Sequence, residues 1–297
     1  MSDGAVTVRV RRDFPQVIDY VVGQARMAGR IGSPLTKVRI NGTDHVATVS
    51  VPRTTGSSAS WKLTFRDLPG VELTAHVEIA NGVMTWSIPH IVDTANHRVN
   101  TVSVPGLALA SVTSADPKAQ LSSASIVVDR NKSGDLFQPL ATTDVSQDTS
   151  WVAMANDSTL AAGFEDNATQ DDLVGSAATV ARFVHSISQV EGTKVGAIEP
   201  ATWVHRGKGS ATACPTDSLG NKAVCQLPGG ATVQDGIGPD PDTPYVRVKI
   251  VADANTDGKV DWQDAAVATR DVTMQPTGSG DVANKVITHI PFNIVSQ

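Results

Sequence analysis

The sequence predicts an all-β fold: a large antiparallel β-sandwich that is followed by an acidic loop and one C-terminal helix. Apolar and polar residues alternate with a period of two along most of the chain, and Gly, Pro, Asn and Asp separate the alternating runs. Segments with the helical period are missing from the chain before its C-terminal region. Strands this frequent, without helices between them, favour an antiparallel sandwich over a parallel α/β sheet.

Six alternating runs predict strands in the first 115 residues. An Asn-Gly pair at positions 81 and 82 lies between two of these runs and predicts a tight hairpin. The runs are "GAVTVRVRR", "LTKVRING", "DHVATVSVP", "SWKLTFRDL", "VELTAHVEIA" and "VMTWSIPHI".

The second half of the chain continues the pattern and then changes it. Residues 206–243 are rich in Gly, Pro and Asp, which predicts a long surface loop, and "YVRVKIVAD" then predicts one more strand. "DWQDAAVATRDVTM" has the helical period. We therefore expect a sandwich over residues 1–252 and a loop with a linker helix over residues 253–276. The later strand-like runs are "ASIVVDR", "TSWVAMAND", "STLAAGFED", "TVARFVHSISQ" and "GAIEPATWVHRG".

Composition limits the classes of partner. The chain has 297 residues, enough for a sizeable core, and 40% of them are hydrophobic while only 4% are aromatic, so the core is expected to consist mostly of Val, Ala, Ile and Leu. The net charge of −6 offers no basic surface to nucleic acid or to an anionic membrane. No apolar run approaches the roughly 18 residues of a membrane span. The N-terminus lacks the layout of a signal peptide, so the protein is either cytosolic or secreted by a signal that is absent from this sequence.

Two cysteines, Cys214 and Cys225, lie close together in the loop "ACPTDSLGNKAVC". A disulfide between them would close this loop and indicate an oxidising compartment. Two free thiols are the alternative, and neither His nor a further Cys lies nearby at the spacing that a zinc site needs.

The acidic loop "DANTDGKVDWQD" predicts a calcium site. Calcium takes about six to eight oxygen ligands, and a twelve-residue loop supplies them from alternate positions around a glycine that permits a sharp turn. Gly258 stands at position six, Val260 at position eight would anchor the loop to the core, and Asp replaces the usual Glu at position twelve. The alternative is an Asp- and Asn-rich turn that caps a helix. The predicted ligands are the side chains of Asp253, Asn255, Asp257, Asp261 and Asp264 and the backbone carbonyl of Lys259.

The stretch "DANTDGKVDWQDAAVATRD" resembles a segment of the family 101 glycoside hydrolases, the endo-α-N-acetylgalactosaminidases. In that family the segment joins a galactose-mutarotase-like β-sandwich to the catalytic barrel, and its pattern is close to D-x-N-x-D-G-x-V-D-W-Q-D-A-A-I-A-Y-R. Thr269 stands where the family usually has Tyr, which leaves the predicted metal ligands intact. "DFPQVIDY", "VRINGTDH", "MTWSIPHI" and "VDRNKSGDLFQPL" fit the same sandwich, so the resemblance covers nearly the whole chain.

The resemblance implies a supporting domain of a secreted, retaining endo-hydrolase. The expected substrate of the parent enzyme is Gal-β-1,3-GalNAc, the core-1 disaccharide of mucin-type O-glycans, linked α to Ser or Thr. Residues 285–297 resemble the first strand of the barrel, and the two catalytic carboxylates of the family belong to later barrel segments. No catalytic residue is therefore assigned to this chain, which is expected to be inactive alone. Its expected partners are the catalytic barrel and an O-glycan or galactoside.

A stand-alone aldose mutarotase is an alternative, since such enzymes use a His and a Glu on a similar sandwich. Asn96 and His97 are superficially like a mutarotase His motif. Arg98 follows where aromatic residues usually stand, and Glu191 and Glu199 are the nearest downstream candidates for the carboxylate.

An independent carbohydrate-binding module is the other alternative, because aromatic faces can stack on galactose. The candidates are Trp61, Trp86, Trp151 and Trp203, and each lies in an alternating strand pattern, which favours a core position. Trp262 is expected to pack against the sandwich or the barrel, and His90, His185 and His205 are expected to be ordinary strand or loop residues.

Overall fold

The computed structural model describes residues 1–127, 132–139, 147–149, 152–166, 170–174, 177–181, 183–204, 224–226, 232–234 and 244–273. Two β-sheets and one helix make up the regular structure of these residues. Every strand pair in both sheets is antiparallel, as the alternation predicts. No helix in the described ranges is long and apolar enough to cross a membrane.

The smaller sheet has seven strands in the order β1-β2-β3-β11-β20-β19-β14. Short hairpins connect β1 to β2, β2 to β3 and β19 to β20. The strands are β1 (Thr7–Val10), β2 (Val17–Val22), β3 (Ala25–Ala28), β11 (Ala110–Thr113), β14 (Gln147–Thr149), β19 (Phe183–Val190) and β20 (Thr193–Pro200).

The larger sheet has seventeen strands, and its central run is β12-β15-β16-β24-β9-β8-β7. The strands are β4 (Lys37–Ile40), β5 (Thr43–Val49), β6 (Arg53–Thr54), β7 (Ser58–Phe65), β8 (Glu72–Ala80), β9 (Val83–Val92), β10 (Thr101–Ser103), β12 (Gln120–Val127), β13 (Lys132–Pro139), β15 (Val152–Asn156), β16 (Ala161–Asp166), β17 (Gln170–Val174), β18 (Ala177–Ala181), β21 (Trp203–Val204), β22 (Val224–Gln226), β23 (Thr232–Gln234) and β24 (Tyr245–Val251).

The core lies between the two sheets and is built from the inward residues of each alternating strand. Trp61, Trp86 and Trp203 are buried in it. The rings of Trp86 and Trp203 stack with centroids 5.6 Å apart and an interplanar angle of 14°. Each indole N–H donates to a backbone carbonyl, so that burial leaves no indole donor unpaired. The prediction that these three tryptophans are core residues is confirmed.

The predicted hairpin at Asn81 and Gly82 is also confirmed. The two residues have φ angles of 52° and 72°, which is the left-handed region that a two-residue type I′ turn requires. The turn joins β8 to β9 with Ala80 opposite Val83.

One helix, α1 (Trp262–Thr273), packs on the outer face of the larger sheet against β15, β16 and β24. Gly163 on β16 permits the close approach. A Cβ atom at this position would lie 2.1 Å from the backbone nitrogen of Thr269 and 2.4 Å from its Cα. The helical period of "DWQDAAVATRDVTM" therefore predicts the helix correctly, and Ala265, Ala268 and Val272 form its buried side.

The structure corrects the predicted strands at several places. β2 and β3 are strands that lie outside the predicted runs. The alternation is interrupted in β2, because the β1–β2 pairing shifts register between Arg9 and Val10 and leaves Ile18 exposed within an apolar run. "TVARFVHSISQ" contributes to two strands, β18 and β19, rather than one. The predicted loop 206–243 contains the short strands β22 and β23, which pair with each other.

Some predictions concern residues outside the described ranges. They are the barrel strand at residues 285–297, the C-terminal end of the linker helix segment at 274–276, Trp151, His205 and the pairing of Cys214 with Cys225.

Candidate functional site

The acidic loop connects β24, which ends at Val251, to α1, which begins at Trp262. Val260 packs with Val251 against a small apolar cluster that includes Met154 and Ala161, on the outer face of the larger sheet. The residue at loop position eight therefore anchors the loop to the sheet, as the sequence predicts.

The first half of the loop turns its side-chain oxygens toward its own backbone. The Asp253 carboxylate accepts from the N–H of Asp257 at 3.0 Å and from the N–H of Gly258 at 2.8 Å. Asn255 Oδ1 accepts from the same Asp257 N–H at 3.1 Å. Asp257 Oδ1 accepts from the N–H of Lys259 at 2.9 Å. Gly258 has φ of 83°, which explains why glycine occupies this position.

Asp264 closes the loop from its other end. Its side chain is fully buried, and Oδ1 accepts from the N–H groups of Ala254 at 2.7 Å and Asn255 at 3.2 Å. Oδ2 accepts from the N–H of Asp261 at 3.0 Å. One carboxylate therefore ties the start of the loop to the first turn of α1.

The loop also caps the helix. Asp261 precedes α1, and its Oδ1 accepts from the N–H of Gln263 at 2.8 Å while Asp264 reaches back to the N–H of Asp261. These reciprocal bonds satisfy donors that the first turn of a helix leaves unpaired, in the manner of a capping box. The helix cap that was the alternative to a metal site is thus present.

The charge of the loop argues for a cation. The loop contains four carboxylates, those of Asp253, Asp257, Asp261 and Asp264, and one cationic side chain, that of Lys259, and none of the four carboxylates forms an ion pair with a described residue. Their partners are N–H groups of the loop, and a carboxylate has about four acceptor sites, so some remain for a metal. The donor set contains only oxygen, which suits a hard cation of calcium type.

The described side chains do not, however, form a closed metal site as they stand. No group of three or more His, Cys, Asp or Glu side chains in the described part of the chain converges in the way that would hold a metal ion. The six ligands predicted from the sequence share one loop, but their convergence on a cation stays a prediction.

The mutarotase candidates are not brought together. His97 lies in the turn after β9, where its backbone N–H donates to the hydroxyl of Thr94. Glu199 accepts from the N–H of Gly106 at 2.7 Å, and Glu191 lies in the exposed turn between β19 and β20. Neither carboxylate contacts His97 among the recorded hydrogen bonds and ion pairs of the described residues.

Sequence reasoning missed a polar cluster beside α1. The hydroxyl of Tyr245 donates to Glu165 Oε1 at 2.8 Å, and Arg247 Nε lies 3.5 Å from Glu165 Oε2. The guanidinium of Arg247 lies over the Tyr245 ring, 4.8 Å from its centroid. The only signal in the sequence is the alternation of "YVRVKIV", which turns Tyr245 and Arg247 to the outer face.

The chain matches a family model described as galactose mutarotase-like fold domain over residues 1–262. It is also 34% identical, over its whole length, to a protein of Renibacterium salmoninarum that is named as a candidate endo-α-N-acetylgalactosaminidase. The chain spans only 19% of that relative.

A solved structure has a similar fold. It is the ligand-free α-N-acetylgalactosaminidase NagBb of Bifidobacterium bifidum, which superposes with a TM-score of 0.51 over 92% of this chain and 38% of that chain. The two sequences are only 10% identical, so the likeness concerns the fold alone.

Proposed function

Because the chain belongs to the family of galactose mutarotase-like fold domains, we propose that it is a non-catalytic supporting domain of an endo-α-N-acetylgalactosaminidase. The observation that carries this proposal is the alignment of the whole chain, at 34% identity, with 19% of a much longer relative of that name. The parent enzyme would be secreted and would release Gal-β-1,3-GalNAc from Ser or Thr with retention.

The chemistry of such an enzyme lies outside this chain. A retaining glycosidase needs a nucleophile and a general acid/base whose carboxyl groups are roughly 5 Å apart across the sugar. We assign neither role to a residue of this chain. Its proposed partner is the catalytic barrel, which the sandwich would hold in place.

The acidic loop is proposed to be the joint between the sandwich and the catalytic barrel. A Ca²⁺ ion would be held by the side chains of Asp253, Asn255, Asp257, Asp261 and Asp264 and by the carbonyl of Lys259. When bound, calcium would supply positive charge to a loop whose four carboxylates are matched by one lysine. The buried Asp264 and the anchored Val260 support this proposal, because they already fix the loop to both the sheet and the helix.

Expression of the proposed full-length parent enzyme, of which residues 1–297 would be one domain, tests the function. This full-length protein is expected to release the disaccharide from an α-linked p-nitrophenyl core-1 glycoside. The 297-residue chain alone is expected to release none and to leave the rate of α/β interconversion of galactose, followed by polarimetry, unchanged.

Two results would contradict this proposal. The first is release of disaccharide by the 297-residue chain alone. The second is faster interconversion of galactose that a His97→Ala variant abolishes, since that would identify a mutarotase.

A further inference from the structure

The sequence contains the dipeptide Asn-Gly at two places, and each pair forms the turn of a hairpin in the larger sheet. Asn41 and Gly42 join β4 to β5 with φ angles of 49° and 78°. Asn81 and Gly82 join β8 to β9 with φ angles of 52° and 72°. Both turns therefore have the same type I′ geometry, and a difference in their chemistry must come from their surroundings.

An Asn-Gly pair can lose the amide of its asparagine side chain. Glycine has no Cβ to shield its backbone nitrogen, so this nitrogen can attack the side-chain carbonyl carbon of the preceding asparagine. The attacking nitrogen gives up its proton to a base, the bond to the side-chain amide breaks, and ammonia leaves a five-membered succinimide ring. Water then opens the ring at either carbonyl to give aspartate or isoaspartate. One water is consumed for each ammonia released.

The closed turn cannot undergo this reaction. A type I′ turn sets ψ of its first central residue near about +30°, which points the asparagine Cβ away from the next backbone nitrogen. The turn must therefore open before the ring can close. The contacts that hold each turn closed decide how readily it reacts.

The turn at Asn41 is held by the asparagine side chain itself. Oδ1 accepts from the N–H groups of Asn100 at 2.8 Å and Thr101 at 3.1 Å, and Nδ2 donates to the carbonyl of Arg98 at 2.6 Å. The backbone N–H of Asn41 also donates to the carbonyl of Thr101 at 3.0 Å. Asn100 and Thr101 are buried, so opening this turn would break these bonds and leave buried N–H groups without a partner.

The turn at Asn81 is held only through its backbone. The side chain of Asn81 is exposed and forms none of the recorded hydrogen bonds of the described residues. Asp3 Oδ2 accepts from the N–H of Gly82, and Lys249 Nζ donates to the backbone carbonyl of Asn81 at 3.3 Å. The lysine contact is exposed to solvent, and only the contact with Asp3 is partly buried. The side-chain amide of Asn81 can therefore rotate without breaking a bond.

We propose that Asn81 is a site of spontaneous deamidation in the folded chain and that Asn41 is protected by its hydrogen bonds. The two sites share one dipeptide and one turn type, and they differ in the bonds that opening must break. Isoaspartate at position 81 would add a methylene group to the backbone of a two-residue turn. The modified chain should therefore have a less stable β8–β9 hairpin.

Peptide mapping by mass spectrometry, after incubation of the folded 297-residue chain at mildly alkaline pH, tests this proposal. Opening breaks two more hydrogen bonds at Asn41 than at Asn81, and each slows the reaction roughly fivefold, so Asn81 should react about 25-fold faster. The same incubation in urea is the control for intrinsic reactivity. Both turns are lost there, and the two sites should react at nearly equal rates.

Two variants test the contacts of the turn. Asp3→Ala removes the partly buried bond to Gly82 and should raise the rate at Asn81 roughly tenfold, since the bond involves a charged group. The rate at Asn41 should not change. Asn81→Gln is the matched control and should abolish the signal, because glutamine would have to close a larger ring. The unfolding midpoint of each variant shows that it is folded.

Three results would overturn the proposal. The first is reaction at Asn41 as fast as at Asn81 in the folded chain. The second is reaction at neither site in the folded chain when both react in urea, since the closed turn at Asn81 would then be protection enough. The third is an unchanged rate at Asn81 in folded Asp3→Ala.

Discussion

The sandwich body and the loop–helix segment at residues 253–273 are held together by different means. The body buries a continuous apolar core between two sheets, with the Trp86–Trp203 stack inside it. The loop–helix segment rests on a small cluster around Met154, on a glycine that lets the helix approach, and on carboxylates bonded to backbone N–H groups. Burial of a large apolar core thus stabilises the body, whereas the segment depends more on the close approach of the helix to the sheet and on hydrogen bonds from backbone N–H groups to carboxylates.

Truncation of a core tryptophan should have the largest effect. Trp86→Ala removes a fully buried ring together with its stacking contact, and it leaves the carbonyl of Pro15 without the indole N–H that donates to it. We therefore expect the unfolding free energy to fall by about 4 kcal/mol. Urea denaturation measures it. Trp262→Ala is the control from the loop–helix segment, where the ring is 37% exposed, and should lose less than half as much. Equal losses would mean that the two regions do not differ as described.

Acid should weaken the body through His185. This residue is buried on β19, its Nε2 has no partner, and burial lowers the pKa of its imidazole from 6.5 to about 4 although it also bonds to the backbone of Ser122. The unfolded chain therefore binds a proton at a pH where the folded chain does not. His185 costs no stability above pH 6.5, and its effect grows as pH falls, to about 3 kcal/mol near the folded pKa and below it.

Denaturation curves of the parent and of His185→Gln between pH 7 and pH 4 check this. The unfolding free energy of the variant should rise relative to that of the parent as pH falls, because the glutamine side chain does not titrate. A difference that is constant across this range would show that His185 titrates normally in the fold.

The docking of α1 should depend on Gly163. In Gly163→Ala the new methyl group would overlap the backbone of Thr269, so either the helix or the strand must shift, at a cost of about 2 kcal/mol. Gly56→Ala is a matched control, because nothing lies within 4 Å of the position of its new Cβ. Hydrogen exchange should show faster exchange in α1 for Gly163→Ala alone. Unchanged exchange would place the helix elsewhere.

Much of the fold could be predicted from the sequence because outward and inward residues alternate in nearly every strand. β7, β8 and β24 have this alternation without interruption, and their inward residues are the buried ones. β2 was not predicted because a register shift breaks its alternation. The helix cap could be predicted because it is local: Asp261 and Asp264 bond to neighbours in the chain.

The polar cluster of Tyr245, Glu165 and Arg247 could not be predicted in the same way. Tyr245 and Glu165 are 80 residues apart, and they meet only because β24 is inserted between β16 and β9. The contact of Gly163 with α1 depends on the same insertion. Periodicity shows which face a residue lies on, but strand order decides which residues share that face across the sheet.

Calcium binding by the acidic loop is the claim on which the account of the joint depends. Calcium should be titrated into the chelator-stripped 297-residue chain while its unfolding free energy is measured. The unfolding free energy is expected to rise by about 1.4 kcal/mol at a tenfold excess of calcium over Kd. The rise should be smaller for Asp257→Asn, whose side chain is exposed. It should be unchanged for the control Asp271→Asn on α1. An unfolding free energy that is the same with calcium and with chelator would contradict the claim.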